Sequence, residues 1–113
     1  MDAVKLSGQP LFRASGFDST IQSVVAVGGE PQARTQIQYA QSKTSGVCYD
    51  YTISGNGRAS DYYVAFNKSG MTTYAGFTTC AEANRRGIFQ EDIPVKQVYC
   101  RKNPKASVCQ RHG

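Results

Sequence analysis

The residues with the widest chemical range in this sequence are four cysteines and one histidine: Cys48, Cys80, Cys100, Cys109 and His112. A zinc site usually draws its ligands from two close pairs, whereas this chain has no C-x-x-C pair and a single histidine beside its last residue. We therefore expect no metal and no cofactor. A thiol at Cys80, where a short helix is predicted to begin, would have a lowered pKa, but the terminal histidine is poorly placed to act as its base. The cysteines therefore predict two disulfides.

Four cysteines allow three pairings, and spacing does not select one. We favour Cys48–Cys80, which would hold a helix against the sheet, together with Cys100–Cys109, which would close a short loop. Cys48–Cys100 with Cys80–Cys109 is the competing arrangement, and reduced core cysteines are a further alternative.

Disulfides imply an oxidising compartment, so we expect a secreted, extracellular or periplasmic protein. The first residues, MDAVKLSGQPLF, lack a charged region followed by an apolar one, and we expect that a signal peptide has been removed. No run of the sequence approaches the roughly 20 apolar residues of a membrane span.

The acidic residues do not form a recognisable catalytic pair. Glu91 and Asp92 are adjacent, so their side chains diverge, and glycoside chemistry would need a second carboxylate across a cleft. Asp50, Asp61 or Glu82 could supply that carboxylate, but nothing selects one of them. A G-x-S-x-G motif is also missing, which disfavours a serine hydrolase. We therefore expect a protein that is not an enzyme.

The basic charge is concentrated at the end of the chain. The net charge is +5, and the residues from 96 onward include five basic side chains and no acidic one: Lys96, Arg101, Lys102, Lys105 and Arg111. A nucleic-acid binder would interleave such charges with aromatic residues, which here lie far upstream, so we consider nucleic acid an improbable partner. Residues 101–113 are predicted to be a basic C-terminal loop or tail. It either solubilises the protein or contacts an acidic partner.

Period-two patterns predict most of the fold. Thr35, Ile37 and Tyr39 alternate with polar residues, and residues 47–53 place Val47, Tyr49, Tyr51 and Ile53 opposite Cys48, Asp50 and Thr52. Asn56-Gly57 is a preferred hairpin turn. Residues 61–67 and 71–77 predict a second hairpin, and residues 95–100 predict a last strand after Pro94. Residues 1–16 allow at most an edge strand.

Two segments have helix signals. Residues 17–29 predict a helix that begins with a capping box of Ser19 and Gln22, although a strand is also compatible with its valines. Residues 78–87 predict a helix of about two turns, capped by Thr79, with Glu82 in its first turn and Arg85 and Arg86 near its end. The fold class predicted is α+β, a single domain over residues 1–113. It consists of a twisted antiparallel sheet of about 4–6 strands with one or two short helices on one face.

Two features of the second hairpin suggest surface roles. Successive side chains of a strand point to opposite faces, so Tyr62 and Tyr63 cannot both enter one core, and an exposed tyrosine is favoured at interfaces. Ordinary packing in the sheet is the alternative. Asn67-Lys68-Ser69 is a glycosylation acceptor sequence if the source secretes through a eukaryotic pathway.

The same hairpin, DYYVAFNKSGMTTYAGFTTC at residues 61–80, resembles a segment of the small fungal guanyl-specific ribonucleases and their catalytically inactive effector relatives. The chemistry of that family uses a glutamate, an arginine and a histidine on the sheet. Here Tyr62 or Tyr63 stands where the arginine would be, and the segment contains no histidine. The resemblance therefore implies a relative without catalytic activity.

We therefore expect a small secreted or periplasmic binding module that acts by contact with another protein, as an effector, inhibitor or immunity-type protein. The candidate contact residues are Tyr62, Tyr63, Arg85, Arg86, Arg101, Lys102 and Lys105. A small secreted hydrolase or toxin, ribonuclease-like in its most specific form, is the alternative. A subunit of an envelope or surface assembly is a third class.

Overall fold

The computed structural model describes residues 19–55 and 57–109. In this part of the chain the elements follow the order α1 (Ile21–Gly28), β1 (Ala33–Tyr39), β2 (Thr44–Gly55), β3 (Arg58–Phe66), β4 (Thr72–Gly76), α2 (Cys80–Arg85), α3 (Val95–Lys102) and a 3-10 turn (Ser107–Cys109). The strands form one antiparallel sheet in the order β1-β2-β3-β4. The expected disulfide-stabilised α+β fold is confirmed, with a strand number at the low end of the expected range.

The register of the two central strands separates the sheet into two faces. Tyr51 of β2 lies opposite Tyr62 of β3, and its neighbour Asp50 lies opposite Tyr63. Gly55 pairs with Arg58, so the β2–β3 hairpin closes at the predicted two-residue turn, in which Gly57 has a φ of 79°. Because the side-chain period of a strand is two, this register sends alternate residues into two different cores.

The first core lies under α1. Val24 of this helix is fully buried against the tyrosine row predicted for β2 and against alternate residues of β3. The sheet residues of this core are Tyr49, Tyr51, Ile53, Tyr62, Val64 and Phe66.

The second core lies on the opposite face, under α2. Its members come from all three of the first strands, from α2 and from the segment after it: Ile37, Tyr39, Cys48, Tyr63, Ala65, Cys80, Ala83 and Phe89. Cys48 and Cys80 form a disulfide with a Cα–Cα distance of 5.9 Å. The carboxylate of Asp50, on the same face as Cys48, accepts a hydrogen bond of 2.8 Å from the backbone N–H of Cys80. A covalent bond and a hydrogen bond thus hold the start of α2 on the sheet.

The sequence led us to expect one or two helices on one face, whereas α1 and α2 pack on opposite faces and α3 is a further helix. The physical reason is that both faces of β2 and β3 are apolar. Each face therefore needs a cover, and one helix cannot bury both.

The start of α1 differs by one residue from the predicted capping box. Thr20 is the N-cap and forms the box with Ser23, with hydrogen bonds of 3.2 and 2.8 Å. The hydroxyl of Ser19 instead donates to Thr72, at 2.5 Å and away from water. The hydroxyl of Ser19 is therefore not available as a cap, and the hydroxyl of the next residue, Thr20, caps the helix.

The start of α2 is as predicted. The hydroxyl of Thr79 accepts a hydrogen bond of 3.1 Å from the backbone N–H of Glu82, and Arg85 lies in the last turn. Gly87, with a φ of 73°, follows the C-cap residue Arg86. Capping and charge at the two helix ends therefore agree with the sequence.

The predicted strand over residues 95–100 is wrong, because Val95–Lys102 is an α-helix. The apolar residues Val95, Val98 and Tyr99 are spaced i, i+3, i+4, which is the period of a helix, and Pro94 directly before them has a φ of −56°. The carbonyl of Pro94 accepts hydrogen bonds from the backbone of residues 97 and 98. Two β-branched valines had favoured the strand, but the spacing and the preceding proline decide the conformation.

Some expectations concern residues outside the described ranges. These are the edge strand within residues 1–16, the asparagine of the Asn56-Gly57 turn, and Arg111 and His112 at the end of the chain.

Candidate functional site

The C-terminal segment is a helix and a turn clasped by a disulfide. Cys100 in α3 bonds Cys109 in the 3-10 turn, with a Cα–Cα distance of 5.5 Å, and the predicted pairing of all four cysteines is thereby confirmed. The loop between them also carries backbone hydrogen bonds, from Ala106 to the carbonyl of Asn103 and from Cys109 to that of Ala106. We call Val95–Cys109 the C-terminal clip.

A groove of about 470 Å³ lies between this clip and the edge strand β4. Thr73 and Tyr74 line it from β4, and Val95, Val98 and Tyr99 line it from α3. All residues of α3 are half-buried or exposed, and Val98 and Tyr99 each retain 38% of their accessible surface. This helix therefore presents apolar surface that the sheet does not cover.

Charged side chains form one border of the groove. Arg101 and Lys102 in the last turn of α3 are exposed, and Glu91 lies across from them. A guanidinium nitrogen of Arg101 is 3.3 Å from a carboxylate oxygen of Glu91. Lys105 is also exposed and lies in the loop of the clip. The apolar groove therefore has a predominantly basic rim.

The segment before α3 is anchored to the sheet. The backbone N–H of Asp92 donates to Ser42, its carboxylate accepts a hydrogen bond of 2.7 Å from Thr44, and its carbonyl accepts one from Asn67. The hydrogen bonds from Thr44 and Ser42 hold the pKa of Asp92 below its usual range. The backbone of Glu91 donates to the hydroxyl of Tyr74 in the groove. One wall of the groove is thus fixed, while α3 forms the other.

Two of the carboxylates considered for catalysis, those of Asp50 and Glu82, are engaged in structural contacts. Asp50 caps α2, and Glu82 contacts both Arg85, at 2.5 Å, and Arg86, at 2.8 Å. The hydrogen bonds from Arg85 and Arg86 lower the pKa of Glu82. A general acid near neutral pH needs a raised carboxyl pKa, which is the opposite shift.

The predicted contact residues do not form one surface. Arg101 and Lys102 border the groove, whereas Arg85 and Arg86 share Glu82 on the exposed side of α2. Tyr62 and Tyr63 are 2% and 3% exposed and belong to the first and second cores, because both faces of the sheet are covered. Burial therefore removes these two tyrosines from a docking surface. Burial also raises the pKa of Tyr63.

Val98 and Tyr99 are site residues that the sequence interpretation missed. Their helical spacing with Val95 was the available signal, but the strand interpretation placed them on opposite faces.

Asn67 lies in the β3–β4 turn, as predicted, but its side chain is already used. Its amide nitrogen donates to the carbonyl of Asp92, at 2.8 Å, and its oxygen accepts from the backbone of Ser69 and Met71, at 2.9 and 3.0 Å. The nitrogen that glycosylation would modify therefore ties this turn to the anchored segment.

We predict that Asn67→Ala lowers the free energy of unfolding by about 2 kcal/mol, because three backbone groups lose their partner and two of these hydrogen bonds are partly buried. Urea unfolding measures the change. Asn103→Ala is a matched control, since the exposed amide of Asn103 makes one hydrogen bond to Tyr99, and it should cost about 0.5 kcal/mol. Equal effects of the two substitutions would contradict the structural role of Asn67.

A second, larger groove of about 680 Å³ lies beside the start of α1. Its lining includes Gln22, Gln36, Ser45 and the turn around Lys68. The residues that line it include no aromatic side chain and only one cation, whereas the first groove has Tyr99 together with Arg101 and Lys102. We therefore place the candidate site beside the clip.

The described ranges were compared with the requirements of a metal site and of a membrane-spanning helix. Residues 19–55 and 57–109 contain no group of three or more histidine, cysteine or acidic side chains that could hold a metal ion. The helices in these ranges are too short and too polar to cross a bilayer.

Comparison with solved structures finds a similar fold. A crystal structure described as that of the osmotically inducible lipoprotein OsmE matches with a TM-score of 0.63 and 26% sequence identity, over 76% of this chain and 94% of that chain. No protein-family model matches the sequence. The curated proteins likewise give no match. The fold is thus shared with a protein described as a lipoprotein.

The two disulfides should differ in their reactivity. Cys48 and Cys80 are fully buried, whereas Cys100 and Cys109 are half-buried. We predict that mild reductant at neutral pH opens Cys100–Cys109 first, because thiol exchange requires access to a sulfur atom. Alkylation followed by peptide mass spectrometry should find label on Cys100 and Cys109 while the other pair is intact. Simultaneous labelling of all four cysteines in folded protein would contradict this order.

Proposed function

We propose that this protein is a non-enzymatic binding module of an oxidising, extracytoplasmic compartment, and that it contacts another protein through the C-terminal clip. The observation that carries the proposal is the groove beside α3, in which exposed Val98 and Tyr99 adjoin Arg101 and Lys102. Protein interfaces typically combine an apolar centre that contains aromatic residues with a polar rim, and arginine is enriched in them.

The compartment is supported by the two disulfides and by the fold shared with a protein described as a lipoprotein. Effector, inhibitor and immunity-type proteins, together with subunits of envelope assemblies, all fit a rigid, disulfide-held surface. The structural contacts of Asp50, Glu82 and Asp92 favour binding over hydrolysis.

The experiment is chemical cross-linking in the extracytoplasmic fraction of the source organism. It compares the natural protein with a variant that carries Arg101→Gln, Lys102→Gln and Lys105→Gln. A matched control replaces three exposed cations elsewhere, Lys43, Arg58 and Lys68, so that both variants have the same net charge.

We expect a discrete protein partner that the control variant retains and the clip variant loses. Equal capture by both variants would contradict a role of the clip. Cleavage of RNA by the natural protein that Glu82→Gln or Glu91→Gln abolishes would instead favour the ribonuclease-like alternative.

A further inference from the structure

We propose that the groove between α3 and β4 receives a short acidic peptide segment of the partner, with an apolar side chain seated against Val98 and Tyr99. This inference rests on the proposed function and makes it specific, because it assigns both the residues that bind and the chemistry of what they bind.

The apolar part of the site is set by α3. Val95, Val98 and Tyr99 lie along one side of this helix, and Tyr74 of β4 faces the same groove. A volume of about 470 Å³ lies within the range of about 300 to 1,000 Å³ typical of small-ligand sites, which suits a few side chains better than a folded domain. An apolar side chain that enters the groove would remove the exposed surface of Val98 and Tyr99 from water.

The charged part of the site favours carboxylates. Arg101 and Lys102 lie in the last turn of α3, and Lys105 follows in the loop that the Cys100–Cys109 disulfide closes. An arginine guanidinium matches a carboxylate in a two-point geometry. Within the chain Arg101 makes a single contact of this kind, in which one guanidinium nitrogen lies 3.3 Å from a carboxylate oxygen of Glu91. Acidic side chains of a partner would compete with Glu91 for Arg101 and would also pair with the neighbouring cations.

The same charges disfavour a second copy of this chain as the occupant. In a two-fold symmetric dimer the same patch meets itself, so Arg101 and Lys102 of one copy would face those of the other. Like charges brought together in this way repel, and an acidic partner avoids that cost.

The test is selection of a random displayed peptide library against the oxidised, immobilised full chain. Affinities of the selected peptides are then measured by fluorescence anisotropy. Five single variants are compared: Val98→Ser, Arg101→Gln and Glu91→Gln in the groove, and Val27→Ser and Arg58→Gln outside it. Val27 is a suitable control because it is an exposed valine of another helix, with 48% of its surface accessible. Circular dichroism and disulfide content establish that each variant is folded.

We expect selected peptides to share an apolar residue flanked by aspartate or glutamate. Val98→Ser and Arg101→Gln should each weaken their binding by about five- to tenfold, and the control variants by less than about twofold. Glu91→Gln should strengthen binding by about two- to fourfold, because it removes the acidic side chain that competes for Arg101.

Four results would overturn the inference. Selection of peptides without acidic residues would exclude an acidic segment as the occupant. Equal enrichment of peptides on the natural chain and on the Val98→Ser variant would exclude the apolar contact in the groove. Peptides whose affinity depends on Val27 or Arg58 would place binding on another face, in which case the proposed protein contact stands and the groove does not. Binding to phosphatidylglycerol vesicles or to polyuridine RNA that depends on Arg101 and not on Val98 would identify a general anion surface instead.

Discussion

Replacement of Cys48 and Cys80 by alanine is expected to lower the free energy of unfolding by about 4 kcal/mol. The disulfide joins residues separated by 32 positions, and the chain-entropy model gives a contribution of this size for a loop of that length. Both sulfur atoms are fully buried in the second core, between β2 and α2. Loss of the bond should therefore also loosen α2 from the sheet. Chemical denaturation with detection by circular dichroism measures the change.

The matched control replaces Cys100 and Cys109 by alanine. This disulfide closes a separation of 9 residues, for which the same model gives about 3 kcal/mol, and it lies within the clip, whereas Cys48–Cys80 joins α2 to the sheet. We expect its loss to affect groove binding more than global unfolding. A larger loss of global stability in this control than in the Cys48 and Cys80 variant would contradict the order.

Gly46→Ala is expected to lower the free energy of unfolding by at least about 3 kcal/mol, because the strands on either side of β2 leave no space for a methyl group. A Cβ atom at this position would lie 2.3 Å from the carbonyl oxygen of Phe66 and 2.6 Å from the ring of Tyr39. Phe66 is held by the β2–β3 ladder, and Tyr39 is fully buried with its hydroxyl 2.8 Å from that of Thr73. Burial raises the pKa of Tyr39 to about 12, which reflects how completely the ring is enclosed. Neither neighbour can move without breaking another contact.

Gly76→Ala provides the graded comparison. A Cβ atom at this position would approach only the end of the Tyr63 ring, at 2.9 Å, and a side chain yields more readily than backbone. We expect Gly76→Ala to lower the free energy of unfolding by about 1 kcal/mol, as measured by urea unfolding. If Gly46→Ala lowered the free energy of unfolding by no more than Gly76→Ala does, the close packing of Tyr39 against Gly46 would be contradicted.

The sheet and its two faces were predictable because strand patterns are local. The alternation of Tyr49, Tyr51 and Ile53 with Cys48 and Asp50 depends only on the geometry of an extended chain, and the structure confirms it. The cap at Thr79 was predictable for the same reason, since a cap involves residues three positions apart.

The helix α3 and the burial of both tyrosines required information beyond local pattern. Residues 95–100 contain both a helical spacing and two β-branched valines, so period and propensity conflicted. The strand pattern places Tyr62 and Tyr63 on opposite faces of the sheet, but whether each face is covered depends on where the helices pack. The groove could not be predicted because it lies between α3 and β4, which are distant in the sequence.

The measurement that tests the central proposal most directly is the dissociation constant of the captured partner at low and at high salt. It is made for the natural protein and for two triple variants. The clip variant replaces Arg101, Lys102 and Lys105 by glutamine, and the control variant replaces Lys43, Arg58 and Lys68 by glutamine. The proposal predicts that the clip variant binds at least about tenfold more weakly at low salt and loses most of its salt dependence, because salt screens the charges that it lacks. The control variant should bind within about threefold of the natural protein. Equal affinities and equal salt dependence of the two variants would contradict the assignment of the clip as the binding surface.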